Sequence, residues 1–169
     1  MPDRHTTREK ELASIDEVCH HAWMDIRRIT DAAAVVAAGH LFDNAPKPDA
    51  TAKFLAYDHH HLFIAYVDDF PAGMISGVET THPDKGTEMF LYELGVDERY
   101  RRRGLGKALL AALAQLARER GCYGMWVATD EDNVAAHATY DRDGAVLEKD
   151  QAVFVWTFDE AEAEAEACM

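Results

Sequence analysis

Arg101-Arg102-Arg103-Gly104-Leu105-Gly106-Lys107 is the stretch on which the reading of this chain turns. The apolar run before it, residues 89–96, reads as a strand, and residues 108–120 after it read as a helix. A strand, a short basic turn with two glycines and a helix start together make an anion site. The first N–H groups of a helix have no internal partner, and the helix dipole adds partial positive charge there. Glycine lets the backbone come close to a ligand, so this arrangement suits a phosphate or pyrophosphate. Replacing Gly104 or Gly106 by valine is expected to weaken that ligand and leave the fold intact.

Two familiar phosphate motifs fail on spacing. A P-loop needs Gly-x-x-x-x-Gly-Lys-Ser/Thr, but Arg101 stands at the first glycine and Ala108 at the hydroxyl. A dinucleotide fingerprint needs a third glycine where Leu109 stands. The pattern present is Arg-x-x-Gly-x-Gly, from Arg101 to Gly106. After a strand and opening a helix, it resembles the acetyl-coenzyme A pyrophosphate loop of the GNAT superfamily of N-acetyltransferases.

The chain has 169 residues, a size for one domain with a sizeable core. No apolar run reaches membrane-spanning length, and the charged start, residues 1–10, is no secretory signal. Cys19, Cys122 and Cys168 show neither metal nor disulfide spacing, which suggests a reducing cytoplasm. Cys122, between a helix end and a strand, reads as a buried inert thiol. The net charge is −14, and the chain stays acidic without the tail acids Asp159, Glu160, Glu162, Glu164 and Glu166. That field repels nucleic acid and attracts cations, although acidic composition also serves solubility alone.

Along the chain, a polar preamble over 1–22 holds a candidate helix over 8–20. A strand follows over 24–29, then a helix over 31–38 with Thr30 as cap and Gly39 as stop. After Pro46 and Pro48 comes a short helix over 51–57. Strands over 62–67 and 72–79 form a hairpin, and a turn over 82–86 leads to the 89–96 strand. The helix after the glycine loop buries Leu105, Leu109, Ala112, Leu113 and Leu116 on one face and stops at Gly121. Residues 123–129 read as a strand near the sheet centre. A helix over 133–142 ends at Gly144, and residues 145–147 and 151–158 close the fold as a strand pair. The chain is thus α/β with a mixed sheet. The order resembles the GNAT fold: a mixed central sheet, flanked by helices, with two splayed parallel strands admitting coenzyme A. On that resemblance residues 1–22 are an N-terminal extension, 23–158 the acetyltransferase domain and 159–169 an acidic tail.

Transfer of an acetyl group to an amine needs a base, a polarised carbonyl and a proton for the leaving thiolate. Glu93 is an acid inside an apolar strand. It is either a base with a pKa raised by burial or a carboxylate that faces solvent or pairs with an arginine. Tyr92-Glu93-Leu94-Gly95-Val96 resembles the Tyr-Asp-Leu-Ala-Val strand of type I aminoglycoside 3-N-acetyltransferases, which implies the base. Asn133, Ala136, Tyr140 and Gly144 match the GNAT pattern Asn-x-x-Ala-x-x-x-Tyr-x-x-x-Gly. The match implies that Tyr140 protonates the thiolate and Asn133 holds the pantetheine arm; a core aromatic is the plainer reading of Tyr140. Ala145 departs from the aromatic usual after that glycine. The resemblance also implies a bulge at Leu94, Gly95 and Val96 that frees N–H groups for pantetheine and the thioester oxygen.

The cofactor-holding set is therefore Leu94–Val96, Arg101, Arg102, Arg103, Gly104, Leu105, Gly106, Lys107, Asn133 and Ala136. Asp130, Glu131 and Asp132 either bind ammonium groups or form a solvated loop with a helix cap. His59-His60-His61 point to alternate faces of a strand and so make no metal site. The expected protein is a cytoplasmic enzyme using acetyl-CoA to acetylate a small cationic amine, an aminoglycoside antibiotic at the 3-N position, with no nucleic acid or membrane partner. The alternatives are a GNAT enzyme for a polyamine, amino acid or protein amine, and a non-catalytic acyl-CoA-binding module. Homodimers are common in the family, but no sequence feature names an interface.

Overall fold

The computed structural model describes residues 24–156. In chain order it runs β1 (Met24–Arg28), α1 (Ala32–Ala37), α2 (Pro48–Ala56), β2 (His60–Val67), β3 (Phe70–His82), β4 (Gly86–Val96), α3 (Leu105–Glu119), β5 (Met125–Trp126) and α4 (Val134–Asp143). Short 3-10 turns lie at Gly39–Leu41 and Glu98–Tyr100. The sheet order is β1-β2-β3-β4-β5. Neighbours are antiparallel except β4 and β5, which are parallel.

Strand alternation sorts the core into two layers. On one face Leu105, Leu109, Leu110, Leu113 and Ala117 of α3 pack on Ala65, Ile75, Met89 and Leu91. On the other, Val35, Ala38 and Leu41 pack on Leu62, Ile64 and Met74. Leu109 and Leu113 are fully buried, and each contributes about 1.5–3 kcal/mol of transfer free energy. Alternation also divides the histidines. His61 is buried on the α3 face, where Arg28 Nη2 lies 2.9 Å from its Nδ1 and Glu79 Oε1 lies 2.7 Å from its Nε2. His60 lies against Phe54 on the opposite face.

Several expected boundaries are corrected. Asp31, not Thr30, caps α1: its carboxylate accepts from the Ala34 N–H at 2.9 Å. The helix expected over 51–57 begins at Pro48, whose fixed φ suits the first helical turn. The strand expected over 123–129 is reduced to Met125 and Trp126, with Tyr123 N–H donating to Thr87 O and Gly124 O accepting from Met89 N–H, each at 2.9 Å, just before it. Residues 145–156 contain no strand, and Val146, Val153, Phe154, Val155 and Trp156 are exposed. Apolar β-branched residues become a strand only against a hydrogen-bonding edge, and no described strand lies along these. The helix expected over 8–20, the end of the last strand at 157–158 and the tail at 159–169 fall outside the described residues.

The β4–β5 junction positions the site. The two strands register through Met89 with Met125 and Phe90 with Trp126, and the backbone of Tyr123 and Gly124 bonds to Thr87 and Met89 just before them. From Leu91 onward β4 has no partner on its β5 side among the described residues, so a gap opens between the parallel strands.

Candidate active site

The 101–107 loop enters α3 through Gly104, at φ 87° and ψ 0°. A side chain in that left-handed conformation costs about 1–2 kcal/mol. Valine at Gly104 therefore strains the backbone, contrary to the expectation of an intact fold. Gly106 is different. A Cβ there meets only Thr139 Cγ2, at 3.7 Å, which is ordinary contact. No neighbour among the described residues requires glycine at that position.

The N–H groups of residues 102–107 find no acceptor among the described residues, while Ala108 N–H donates to Gly104 O at 3.0 Å. Six donors at a helix N-terminus fit a diphosphate. Arg102 and Lys107 make no ion pair among the described residues. Arg103 lies over the Tyr100 ring at 5.2 Å. Arg101, expected to hold the anion, instead ties the loop to the end of β4. Its Nε donates to Val96 O at 3.1 Å and its Nη1 lies 3.5 Å from Glu98 Oε1.

The end of β4 offers further donors. Asp97 N–H bonds to Ala72 O at 2.9 Å. By the alternation of a strand, the N–H groups of Leu94 and Val96 turn away from β3 and toward the gap. The bulge is not at 94–96, where pairing to β3 is regular. It lies upstream: Ser76 faces Glu93 and Gly77 faces Leu91, which leaves Tyr92 as the extra residue. Gly95 answers a close approach instead, since a Cβ there would lie 2.8 Å from Leu41 O.

Glu93, paired with Ser76, lies on the α1/α2 face of the sheet, and the loop after α1 brings Asp43 to it. Burial raises its pKa above the ordinary carboxylate value; the nearby Asp43 backbone amide works against this and the Asp43 charge adds to it. No cation pairs with Glu93 among the described residues. Asp43 is the neighbour that sequence reasoning left out of the site. No sequence spacing connects Asp43 with a residue three strands later.

Tyr140 on α4 is half-buried against the α3-face core, and burial raises its phenol pKa. At neutral pH it keeps its proton and remains a donor. Asn133 caps α4, its Oδ1 accepting from the Ala136 N–H at 3.1 Å. The Asp130 carbonyl accepts from Asn133 N–H at 3.1 Å and lies 3.2 Å from His137 Nε2. The side chains of Asp130, Glu131 and Asp132 are exposed and pair with no cation among the described residues. The acid acting on Glu93 is Asp43, not one of these three.

A phosphate-ready helix start, a gap between parallel strands, a desolvated acid on one side and a buried phenol on the other are now in place. The chain belongs to the acetyltransferase (GNAT) family, whose model matches residues 23–145. An uncharacterised N-acetyltransferase, YycN, of Bacillus subtilis (strain 168) is 32% identical over 98 residues, 57% of this chain and 62% of the relative. A mycothiol acetyltransferase of Salinispora tropica is 42% identical over 87 residues, 48% of this chain and 28% of the relative. The chain thus spans less than two thirds of these relatives.

Among solved structures, an aminoglycoside acetyltransferase from an uncultured soil metagenomic sample, in complex with trehalose, superposes with a TM-score of 0.75 at 21% identity. The match covers 82% of this chain and 99% of that one. The aminoglycoside N-acetyltransferase AAC(6′)-Iy in complex with CoA gives a TM-score of 0.67 at 23% identity, covering 79% and 94%. The fold is the GNAT fold. The solved neighbour whose acetylation position is stated is of 6′ type, not 3-N.

Proposed function

We propose that the chain transfers an acetyl group from acetyl-CoA to an amine of a small, multiply cationic acceptor of the aminoglycoside class. The observation that carries this reading is Glu93, a half-buried carboxylate with no cation beside it among the described residues, standing at the gap between β4 and β5. A cation-free acid in a cleft is a base awaiting an ammonium.

Acetyl-CoA supplies an activated acyl group. The 102–107 amides, with Arg102, Arg103 and Lys107 around them, hold its diphosphate. The Leu94 and Val96 amides polarise the carbonyl in the gap. Glu93 takes the proton from the acceptor amine, whose nitrogen then forms the C–N bond as the C–S bond breaks. Tyr140 gives its proton to the departing sulfur. Asn133 and Ala136 set the first turn of α4 and so position Tyr140. Asp43 reinforces Glu93 by charge, and Asp130, Glu131 and Asp132 attract the remaining ammonium groups from solvent. The 3-N position rests on the Tyr92–Val96 strand. Nuclear magnetic resonance of the product reads which nitrogen carries the acetyl group.

The test is release of free thiol from acetyl-CoA with aminoglycosides, polyamines, amino acids and peptides as acceptors. The expected result is fastest turnover with aminoglycosides; equal rates with a monoamine would defeat the acceptor assignment. Calorimetry separates donor from acceptor. Gly106→Val should weaken acetyl-CoA by about tenfold or more, the loss of one charge-assisted hydrogen bond, while the fold survives. Unchanged affinity would remove the loop from the donor site.

A further inference from the structure

Three aromatic side chains stand on the α1/α2 face where no helix among the described residues covers them. Met89 and Leu91 of β4, and Met125 and Val127 around β5, turn into the α3-face core. Phe90 and Trp126 between them therefore turn to the opposite face. Their rings stack at 4.3 Å between centroids, with 29° between planes. Tyr92 meets Phe90 edge-on at 5.8 Å and is 68% exposed, while Trp126 is 47% exposed. None of the three joins the cluster that α1 and α2 cover.

The bulge explains how Glu93 comes to share the face of this strip. Consecutive strand residues ordinarily point to opposite faces. The extra residue at Tyr92 breaks that alternation, and bulges re-aim side chains in this way. Tyr92 accompanies Phe90 by ordinary alternation, and the extra residue then turns Glu93 to that same face, with Ser76 and Met74. The strip ends at the Glu93 carboxylate, which has no cation beside it among the described residues.

We infer that Trp126, Phe90 and Tyr92 form the acceptor platform of the reaction proposed above, on which this inference rests. The platform selects an amine carried on a saturated ring over one carried on a linear chain. The occupant follows from two complementarities. The Glu93 and Asp43 charges call for an ammonium at one end. Aromatic faces hold a cation, and the C–H face of a ring, at little entropic cost to either partner. A linear polyamine satisfies the charge but orders many rotors on a flat surface, which costs affinity.

The experiment compares a ring-borne amine, 2-deoxystreptamine, with spermidine in the full-length protein. Tyr92→Ala should lower the ratio of kcat/KM for the ring-borne amine over that for spermidine by about threefold to tenfold, the worth of one aromatic contact. Tyr92→Phe should restore it, and Trp126→Ala should repeat the loss. A ratio unmoved in both alanine variants would overturn the platform. So would a Tyr92→Phe variant as poor as Tyr92→Ala, which would assign the effect to the hydroxyl. Binding read without acetyl-CoA, by quenching of tryptophan fluorescence that Trp126→Ala abolishes, keeps the inference separate from the chemistry. Quenching by 2-deoxystreptamine with no acetyl transfer would sink the enzyme reading and leave the platform. Transfer without ring selectivity would do the reverse.

Discussion

Glu79 and Glu93 sit on neighbouring strands of one sheet, and burial pushes both carboxylates toward the neutral form. Their surroundings then part. Arg120 Nε reaches Glu79 Oε1 at 2.6 Å and His61 Nε2 lies at 2.7 Å, and these hydrogen bonds outweigh burial and hold Glu79 below its ordinary value. Glu93 meets another acid, Asp43, and its pKa stays raised. One end of the sheet is closed by charge pairing, whereas the other is left electrostatically unfinished. The lesson is that a buried acid indicates structure where its partners are present and chemistry where they are missing.

The strongest way to break this comparison is to make the same substitution at both ends. Glu93→Gln should lower turnover by about 100-fold or more, the worth of a general base. Its melting temperature should equal or exceed that of the wild type, because a desolvated charge has been removed. A normal rate with a normal pH profile would return Glu93 to a structural role. Tyr140→Phe sharpens the open end. A thiolate leaves readily, so turnover should fall by only about tenfold, with acetyl-CoA affinity intact by calorimetry; a loss confined to binding would make Tyr140 a packing residue.

Glu79→Gln should do the opposite of Glu93→Gln. It should leave turnover near normal and cost stability. Hydrogen bonds to charged groups contribute about 1.5–3 kcal/mol, and screening at the partly exposed Arg120 reduces this to about 1–2 kcal/mol. Chemical denaturation measures it, and wild-type stability would show that the closed end is not held by charge.

The smallest effect is in pH. His61 accepts from Arg28 at Nδ1 and donates from Nε2 to Glu79, so the fold holds it neutral, with burial the main cause of its lowered pKa. A base depressed in the fold loses stability as pH falls below its unfolded value of about 6.5. Depressed Glu79 adds to the loss as pH falls from 4.5 through its folded value. Raised Glu93 opposes it, gaining stability as pH falls toward 4.5. Melting temperature should therefore decline gently from neutral to mildly acidic pH. His61→Gln should flatten the upper part of that decline and Glu79→Gln the lower. A decline unchanged in both variants would place the acid sensitivity elsewhere.

The sequence made the loop legible because every residue of Arg-x-x-Gly-x-Gly is local to one turn. The α4 signature was legible for the same reason: Asn133 as cap and Gly144 as stop bracket a single short helix. What escaped was assembled at a distance. The bulge at Tyr92 depends on how β3 registers against β4, and one strand read alone carries no sign of register. Asp43 reaches Glu93 only because the Gly39–Leu41 turn lays its carbonyl on Gly95. The apolar run over 123–129 signals burial but not pairing, so a seven-residue expectation shrank to Met125–Trp126.

The contact at Gly95 has an evolutionary consequence. The resembling aminoglycoside strand carries alanine where this chain carries Gly95, and a methyl group here would stand 2.8 Å from the Leu41 carbonyl. Alanine at position 95 of this chain would push the 41–43 segment outward, and Asp43 with it. Position 95 and that segment are therefore epistatic. A change at position 95 alone would shift Asp43 against Glu93, and with them the acceptor site proposed above, through a methyl group that touches neither acid.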